Sequence, residues 1–140
     1  MNTGPVGFDF KIDKNEFEKN FKKIMEKSIP GLIEKALVVA GWELKLDADN
    51  VEPRTPHREG ILRGSGKVEK PIKTIFGWSV KVGYNVPYAA YVHEGINIFN
   101  GKSLHYSEQG CGAKYLESKM IRFKYKYMEM VADYVKGGGK

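Results

Sequence analysis

The first apolar residues of the chain alternate with polar ones, and the apolar residues that follow repeat at helical spacing. In VGFDFKID the apolar side chains occupy every second position, at Phe8, Phe10 and Ile12. That two-residue period predicts a short strand. Asp13 and Glu16 have the three-residue spacing of a capping box, which predicts the start of a helix. The apolar residues of this helix are Phe17, Phe21, Ile24 and Met25.

A second apolar repeat of helical spacing begins after Pro30. Proline lacks an amide hydrogen and clashes with the preceding turn, so Pro30 suits the first turn of a new helix. The repeat consists of Leu32, Ile33, Ala36, Leu37, Ala40 and Leu44. The pattern predicts two helices, or one kinked helix, from about residue 13 to about residue 47.

Turn-forming residues then separate the helices from a region of strands. The segment LDADNVEPRTPHREG, residues 46–60, is rich in Asp, Pro and Gly and predicts a connector. Beyond it, a strand is predicted by the alternating residues Trp78, Val80, Val82 and Tyr84. Residues 62–70 predict a weaker, glycine-rich strand that pairs antiparallel with it, through a turn near residues 71–74.

The C-terminal part of the chain predicts a long loop followed by an amphipathic helix. Residues 96–112 are rich in Gly, Asn and Ser, with a small hairpin expected at Asn100–Gly101. The helix is expected over residues 113–136, and GGGK at 137–140 is expected to form a flexible tail. Its apolar residues are Leu116, Met120, Phe123, Tyr127, Met130 and Tyr134.

These elements predict a single α+β domain over residues 1–140. A small antiparallel sheet of about three to five strands would be packed by the N-terminal helices and the C-terminal helix. No apolar run approaches the ~20 residues that a membrane span needs, and the N-terminus carries no pattern of a secretion signal. The single cysteine excludes an internal disulfide, which together with these features favours intracellular production.

The basic charge of the chain raises the expectation of an acidic partner such as nucleic acid. The formal charge is +6, but most basic residues lie beside acidic ones, a pattern typical of solvated helix faces. Basic residues on the C-terminal helix, interleaved with aromatic ones, are Lys114, Lys119, Arg122, Lys124 and Lys126. Aromatic residues at regular spacing are more often core than base-stacking groups, so DNA binding remains an alternative.

A phosphate site and an acid–base pair both have weak support in the sequence. GSGK at 64–67 resembles the end of a phosphate-binding loop, but Ile61 and Val68 occupy the positions of the required Gly and Ser or Thr. His93 and Glu94 could form an acid–base pair, but neighbours on a helix or strand point apart. The chain contains no convincing nucleophile motif, so we expect it not to be an enzyme.

Zinc binding has weak support as well. The possible ligands are His93, His105 and Cys111, with Glu94 beside the first. No two of them have the spacing that fixes a pair of ligands on one turn. We therefore expect neither a metal nor a cofactor.

Three segments of the chain match the patterns of one protein family in the same order. TPHREGILRGSG at 55–66 is similar to Thr-Pro-x-x-x-Gly-x-Leu-Arg-x-Ser, and VPYAAYVHEG at 86–95 to Tyr-Ala-x-Tyr-Val-(Glu or His)-x-Gly. GAKYLESKM at 112–120 is similar to Ala-x-x-Phe-Leu at the start of a final helix. The chain thereby resembles the head–tail joining, or tail-completion, proteins of long-tailed bacteriophages, which are also described as minor capsid or neck proteins.

The resemblance covers about residues 13–135 and includes three departures from the family pattern. Tyr115 stands where the family usually has Phe, and Arg58-Glu59 where many relatives have Asp-Thr. Residues 96–112 form a longer segment than usual, which suggests a partner-specific insertion. The matching residues are Thr55, Pro56, Gly60, Leu62, Arg63, Tyr88, Ala89, Tyr91, Val92, His93, Gly95, Ala113, Tyr115 and Leu116.

The resemblance implies a structural subunit of the phage neck. We expect a homo-oligomeric ring, most simply a hexamer that matches a six-fold tail, between the portal and adaptor side and the tail terminator and tube side. It would be assembled in the host cytoplasm and would reside in the virion, with non-specific contact to DNA in the lumen and none to a membrane. A tail-terminator or head-closure ring is the nearest alternative, and a small basic DNA-binding protein is an alternative of another class.

The expected subunit and partner interface combines the second motif with the long loop. Tyr88 and Tyr91 would share one face of a short helix that Gly95 ends, since Gly tolerates positive φ. Residues 96–112 would form a docking loop for an adjacent ring, unless their apolar side chains cover the subunit's own sheet. The expected interface residues are Leu62, Arg63, Tyr88, Tyr91, His93, Glu94, Ile98, Phe99, His105 and Tyr106.

Overall fold

A computed structural model describes most of the chain. It covers the backbone of residues 6–11, 16–56, 60–75, 77–96, 100–106 and 108–138, and within these the side chains from residue 19 onward except that of residue 22. The predicted capping residue Asp13 lies outside the described residues. No helix in these ranges is both long and apolar enough to cross a membrane.

The fold is α+β, as predicted, with helices packed against a small antiparallel sheet. The elements in chain order are β1 Val6–Lys11, α1 Glu16–Glu26, α2 Pro30–Asn50, α3 Ile61–Gly64, β2 Gly66–Val68, β3 Ile72–Thr74, β4 Gly77–Tyr84, α4 Ala89–Glu94, α5 Glu117–Arg122 and α6 Lys124–Lys136. The buried apolar side chains of the described residues form a hydrophobic cluster between the sheet, α2 and the C-terminal helices.

The sheet is three strands wide because two short strands share one edge of β4. β1 pairs antiparallel with one edge, in a register from Val6 opposite Tyr84 to Lys11 opposite Ser79. β2 and β3 follow one another along the other edge, with Val68 opposite Val82 and Ile72 opposite Ser79. The buried positions of β4 are Trp78, Val80, Val82 and Tyr84, which confirms the predicted alternation.

The two predicted N-terminal helices are separate, and Pro30 occupies the first turn of α2. The buried face of α2 packs against β4 and α6. Gly41 lies on that face, where an added Cβ atom would stand 2.8 Å from Cγ1 of Val68. The close approach of α2 to the sheet therefore depends on the missing side chain of Gly41.

The region between the helices and β4 differs from the prediction. The expected strand over residues 62–70 is a single helical turn, α3, followed by the short strand β2. Gly60 enters this turn with φ of 76°, and the Ser65 hydroxyl closes it by donating to the Leu62 carbonyl at 2.7 Å. Residues 72–74, expected within a turn, form the strand β3 instead, so the reversal lies between residues 74 and 77.

The C-terminal helix is shorter than predicted and interrupted. It begins at Glu117 rather than near residue 113, because Lys114 has a left-handed backbone with φ of 59°. Phe123, with φ of −113° and ψ of 18°, separates α5 from α6. Its ring lies edge-on to Tyr127, with 6.4 Å between the ring centroids, so the break turns Phe123 onto the next helix.

The segment before α5 contains the predicted hairpin at Asn100–Gly101. Ile96 and Ser103 form an antiparallel bridge, and Gly101 has φ of 70°. The amide of Lys102 donates to the Asn100 side chain at 2.9 Å, which closes the turn. Arg54 and Cys111 form a parallel bridge that joins the end of the segment to the connector after α2.

Candidate functional site

The three motif segments of the chain meet in one buried cluster, which we call the motif junction. Thr55 comes from the first segment, His93 from the second, and Tyr115 and Lys119 from the third. Asp49 at the end of α2 and Tyr84 at the end of β4 complete it. All of these side chains are buried. Residues that lie far apart in the sequence thereby hold one another in place.

One half of the motif junction is a chain of hydroxyl groups that ends on a carboxylate. The Tyr84 hydroxyl donates to Oδ1 of Asp49 at 2.6 Å, and Lys45 contacts Oδ2 of the same carboxylate at 2.5 Å. Since the single proton of Tyr84 points to Asp49, the Thr55 hydroxyl is the donor across the 3.0 Å between Oγ1 of Thr55 and the Tyr84 oxygen. The same Thr55 proton is shared with the Ala48 carbonyl at 3.1 Å. Burial, reinforced by Asp49, raises the pKa of Tyr84 far above its usual range, so Tyr84 remains a donor.

The other half of the motif junction joins α4 to α5 through His93. The backbone amide of Glu117 donates to Nε2 of His93 at 3.2 Å, so Nε2 carries the lone pair and Nδ1 the proton. Nδ1 lies 3.2 Å from Oε1 of Glu94. This contact corrects the expectation that the two neighbouring side chains point apart. Burial lowers the pKa of His93.

Aromatic rings connect the two halves. The ring of Tyr115 meets that of His93 edge-on, with 4.9 Å between the centroids, and that of Tyr84 edge-on at 5.3 Å. The Tyr115 hydroxyl donates to the carbonyl of Ala89 at 3.3 Å. Tyr115 therefore uses the hydroxyl that distinguishes it from the Phe of the resembled family to bind α4.

Lys119 is fully buried and has carbonyl partners instead of an acid. Its ammonium group donates to the carbonyls of Pro53 at 2.6 Å and Tyr115 at 3.0 Å, and to the Ser118 hydroxyl at 3.1 Å. Burial, with a smaller effect of Arg122, lowers the pKa of Lys119 to about 8. Lys119 thus joins α5 to the connector after α2.

The sequence pattern places Lys119 among the basic surface residues of the C-terminal helix, so its buried role was not predicted. A usable signal was its spacing, because Lys119 lies three residues after Leu116 and four before Phe123, on the apolar face. Asp49 was also missed, because LDADN was interpreted as the start of a connector whereas α2 continues to Asn50.

A second polar cluster, beside the motif junction, joins α2 to α6. The Tyr127 hydroxyl and the Lys126 ammonium group donate to Oδ2 of Asp47, at 2.7 and 2.9 Å. Lys126 also lies 3.2 Å from Oε1 of Glu43. Helix C-termini repel acidic side chains, so these donors offset the cost of placing Asp47 near the end of α2.

The expected interface residues of the first two motifs divide into buried and exposed groups. Leu62 is part of the core, and Nε of Arg63 donates to the Thr55 carbonyl at 2.8 Å. His93 is buried in the motif junction, so His93 and Leu62 both pack inside the chain's own fold. Tyr91 is half-buried, whereas Tyr88 is exposed. The group also includes Glu94, which is exposed and contacts Lys114.

The expected interface residues of the long loop divide in the same way. Ile98 and Phe99 lie outside the described residues, and His105 is exposed. Tyr106 is half-buried and donates its hydroxyl to the carbonyl of Val92 at 2.5 Å. The amide of Leu104 donates to the carbonyl of Gly95 at 2.8 Å. Part of the loop therefore packs on α4 of the same chain.

The remaining candidate sites lack the geometry that they would need. Across the residues that the structure describes, no group of three or more His, Cys, Asp or Glu side chains could hold a metal ion. A phosphate-binding loop leads from a strand into a helix, whereas GSGK at 64–67 leads from α3 into β2. The alternative of a phosphate site in this segment therefore has no structural support.

Two apolar surfaces lie exposed on different elements. The first, the outer stripe, consists of Val39, Trp42 and Leu46 on α2, which are 43%, 43% and 50% exposed. The second, the hairpin tip, consists of Ile72 and Ile75, which are 59% and 96% exposed. Large apolar side chains at such exposure indicate contact surfaces when they lie together.

Comparison with known proteins gives no match for the chain. No family model, no curated protein and no solved structure matches it. The functional conclusion therefore rests on the motif residues and on the surfaces described above.

Proposed function

We propose that this chain is a structural subunit of a phage neck, a ring component that completes the tail or joins it to the DNA-filled head. The observation that carries the proposal is the motif junction. Of the three segments that resemble the tail-completion family, the second and third touch directly through His93 and Tyr115. The first joins them through Tyr84, which contacts Thr55 and meets the ring of Tyr115. These contacts give the three segments a shared structural role at the centre of the fold, as the motifs of one family would have.

The chemistry of the motif junction favours a structural role over catalysis. Each polar group described there is engaged inside the fold, with the Tyr84 proton on Asp49 and both nitrogen atoms of His93 in contact. Because the side chains are buried, a substrate would have to displace these contacts to reach them. The family motifs would accordingly be retained to hold helices and sheet together while the surface binds partners.

The proposed subunit acts in the virion, as one copy of a ring that is most simply a hexamer. Its partners are copies of itself and the neighbouring neck proteins, on the portal side and on the tail side. The part of the 96–112 loop that lies beyond the α4 contacts is the proposed docking element for an adjacent ring. A tail-terminator or head-closure ring would use the same kinds of contact at another level of the neck.

DNA binding by a small basic protein is the second candidate, and exposed lysines favour it. Lys67, Lys70, Lys73 and Lys81 are exposed on or beside the sheet. Phosphate contacts by lysines give binding that weakens steeply with salt. In the neck proposal the same lysines would serve protein contacts or the DNA in the lumen.

Deletion of the gene in the phage that encodes the chain tests the neck proposal. We expect electron micrographs to show DNA-filled heads and separate tails, and supply of the intact chain to restore joined particles. Complementation with Glu129→Gln, a change at an exposed position of α6, should restore joining equally and serves as the control. Joined, infectious particles without the chain would contradict the proposal.

A mobility-shift measurement with the purified chain distinguishes the DNA-binding candidate from the neck subunit. Tight binding of duplex DNA, with an affinity that falls steeply as salt rises, together with normal particle assembly in the deletion, would favour that candidate. Particles that fail to join, with only weak DNA binding by the chain, would favour the neck subunit.

A further inference from the structure

We propose that the outer edge of β2 and β3 binds the phosphate backbone of duplex DNA through Lys67, Lys70 and Lys73, which we call the lysine row. The three lysines follow one another along the chain at intervals of three residues. The duplex would be the DNA that passes through the lumen of the ring, so the inference rests on the proposed neck function for the source of its ligand.

The lysine row lies along a free edge of the sheet. β2 and β3 pair with β4 on one side, and no strand among the described residues pairs with their other side. Lys67 lies opposite Gly83 and Lys73 opposite Trp78, so the ends of the row are five positions apart along β4. At about 3.4 Å per residue, this separation is about 17 Å. A duplex carries one phosphate charge about every 1.7 Å of its axis, so a length equal to the row offers about ten phosphates to three ammonium groups.

The lysine row carries charge that the described residues do not neutralise. All three side chains are exposed, and none forms an ion pair within the described part of the chain. Lysines elsewhere differ, since Lys114 is paired with Glu94. Residues 61–84 contain five basic residues and a single acidic one, Glu69. The amide of Glu69 donates to the carbonyl of Lys81 at 2.9 Å, which places the exposed Lys81 beside that acid. The edge therefore presents excess positive charge to a polyanion.

The surroundings of the lysine row favour phosphate contacts over base contacts. Proteins hold single-stranded nucleic acid on exposed aromatic rings, on which the bases stack. β4 carries two aromatic residues, Trp78 and Tyr84, and both are buried. Nζ of Lys73 also lies over the ring of Trp78, 5.9 Å from its centroid. A duplex needs no such ring, because its phosphates lie on the outside and position a protein without reading the sequence.

The expected strength of the contact suits DNA that has to move through a neck. The logarithm of the affinity falls by about 0.9 per phosphate neutralised for each tenfold rise in salt, so three contacts predict a slope of about −2.7. Such contacts are independent of sequence and allow a duplex to slide. In a ring, the lysine rows of several copies would act on one duplex together, so each single contact can be weak.

Titration of a short fluorescent duplex with the purified chain tests the lysine row. Fluorescence anisotropy at several salt concentrations should give a slope of about −2.7, equivalent to an affinity loss of about 500-fold between 20 and 200 mM KCl. Lys→Gln changes at all three positions of the row should lower the affinity at low salt at least tenfold and bring the slope close to zero. The matched control combines Lys23→Gln, Lys35→Gln and Lys136→Gln, which remove the same charge at exposed positions on the helices and should keep the slope. Circular dichroism checks that both variants are folded.

Four outcomes would overturn the proposal. Equal losses in the two triple variants would assign DNA binding to net charge alone. Self-association of the row variant with unchanged DNA binding would mean that the lysines only protect the edge from other strands. A row variant that binds DNA normally but fails to join heads to tails would assign the lysines to an acidic protein surface. Sedimentation with phosphatidylserine vesicles that is lost on Ile75→Ser, without binding to DNA, would assign this edge to a membrane.

The DNA titration and the gene deletion fail independently. If the row does not bind DNA although head–tail joining depends on the chain, the neck proposal stands and only this surface fails. If the row binds DNA although particles assemble normally without the chain, the row stands as part of a DNA-binding protein and the neck proposal fails.

Discussion

The phenol of Tyr84 donates to the carboxylate of Asp49 at 2.6 Å, across a buried boundary between the end of β4 and the end of α2. The two residues lie 35 positions apart in the chain. Thr55 and Lys45 contact the same pair, so sheet, helix and connector are joined at one point. A hydrogen bond to a buried charge contributes more than one between neutral groups, which makes this pair a sensitive test of the structure.

Replacing Tyr84 by Phe should destabilise the protein by about 1–3 kcal/mol, because it leaves the buried Asp49 carboxylate with one donor fewer. Urea unfolding at pH 7 measures the change. Tyr88→Phe is the matched control, since Tyr88 is exposed and should change the free energy of unfolding by less than about 0.5 kcal/mol. Equal effects of the two substitutions would be evidence against the buried pair.

His93 should make the protein less stable in mild acid. Because burial lowers the pKa of His93 in the folded state, the unfolded chain takes up a proton first, near its ordinary pKa. Stability is therefore complete above that pH and falls as the pH drops toward the folded pKa, by at most about 1.4 kcal/mol per pH unit. The pKa of Glu94 is lowered, mainly by Lys114, so its own effect belongs to more acidic solution.

Urea unfolding between pH 7 and pH 5.5 measures the effect of His93. His93→Gln should lower stability at pH 7 and remove most of this slope, since Gln does not titrate. A His105→Gln variant is the control, because His105 is exposed in the loop and should leave the slope unchanged. If His93→Gln keeps the full slope, another group is responsible.

Lys119 should make the protein more stable as the pH rises above neutrality. Its folded pKa of about 8 lies below the ordinary value of 10.5, so the unfolded state binds the proton more tightly. Stability is therefore gained between about pH 8 and pH 10, by at most about 1.4 kcal/mol per pH unit. Above that range the raised pKa values of Tyr84 and Tyr127 act in the opposite direction.

Thermal unfolding monitored by circular dichroism from pH 7.5 to pH 9.5 tests the role of Lys119. Lys119→Met removes the titrating group and should flatten the rise. Lys136→Met, at an exposed position near the end of α6, should keep it. A rise that persists in Lys119→Met would mean that its ammonium group is not held in the buried state described.

Gly41→Ala should destabilise the protein by about 1–3 kcal/mol, because the new methyl group overlaps the side chain of Val68 and forces α2 from the sheet. Gly31→Ala provides the opposite case on the same helix. An added Cβ at Gly31 meets no atom within 4 Å, so this variant should gain about 0.5–1 kcal/mol from helix propensity. Denaturant midpoints of the two variants should move in opposite directions, and a shared direction would contradict the packing of α2.

The 96–112 loop should separate into a part that supports the fold and a part that binds a partner. A Gly-Ser linker of equal length in place of residues 98–103 should leave the melting temperature nearly unchanged and abolish head–tail joining. Replacement of residues 104–106 should lower the melting temperature, because it removes the half-buried Leu104 side chain and the Tyr106 hydroxyl that donates to the Val92 carbonyl. Normal joining with the 98–103 linker would remove the docking role from the loop.

The sequence predicted the elements with strong periodicity and missed those that depend on single contacts. The alternation of Trp78 to Tyr84 and the repeat after Pro30 follow from burial of one face, which the spacing of the apolar residues reveals. The one-turn helix α3 depends on the φ of Gly60 and on the Ser65 hydroxyl, features that no periodicity encodes. Because these features leave no periodic pattern, the glycine-rich residues 62–70 predict a weak strand instead of the helical turn.

Only part of the candidate site was predicted, because Asp49, Tyr84 and Lys119 were not among the expected site residues, and its arrangement was not predicted. The motif patterns included Thr55, His93 and Tyr115, yet they could not indicate that Thr55 and Tyr115 both contact Tyr84 while His93 packs against Tyr115. That convergence is set by the crossing of α2 with the sheet, which is a tertiary relationship. Burial of Lys119 could be suspected from its spacing with Leu116, but its partners are backbone carbonyls and carry no sequence signature.

The hydrogen bond from Lys119 to the Pro53 carbonyl joins positions 66 residues apart. Because the chain is synthesised from its N-terminus, this bond can form only late in synthesis. A chain emerging from the ribosome presents α2 and the sheet well before α5 exists. Until α5 arrives, Asp47 lacks its partners on α6, and the Pro53 carbonyl lacks the Lys119 ammonium group. Products truncated before residue 117 therefore lack α5 and α6 and expose the apolar face that these helices cover. Such fragments are natural targets for chaperones and proteases, so survival of the chain depends on completion of its last two helices.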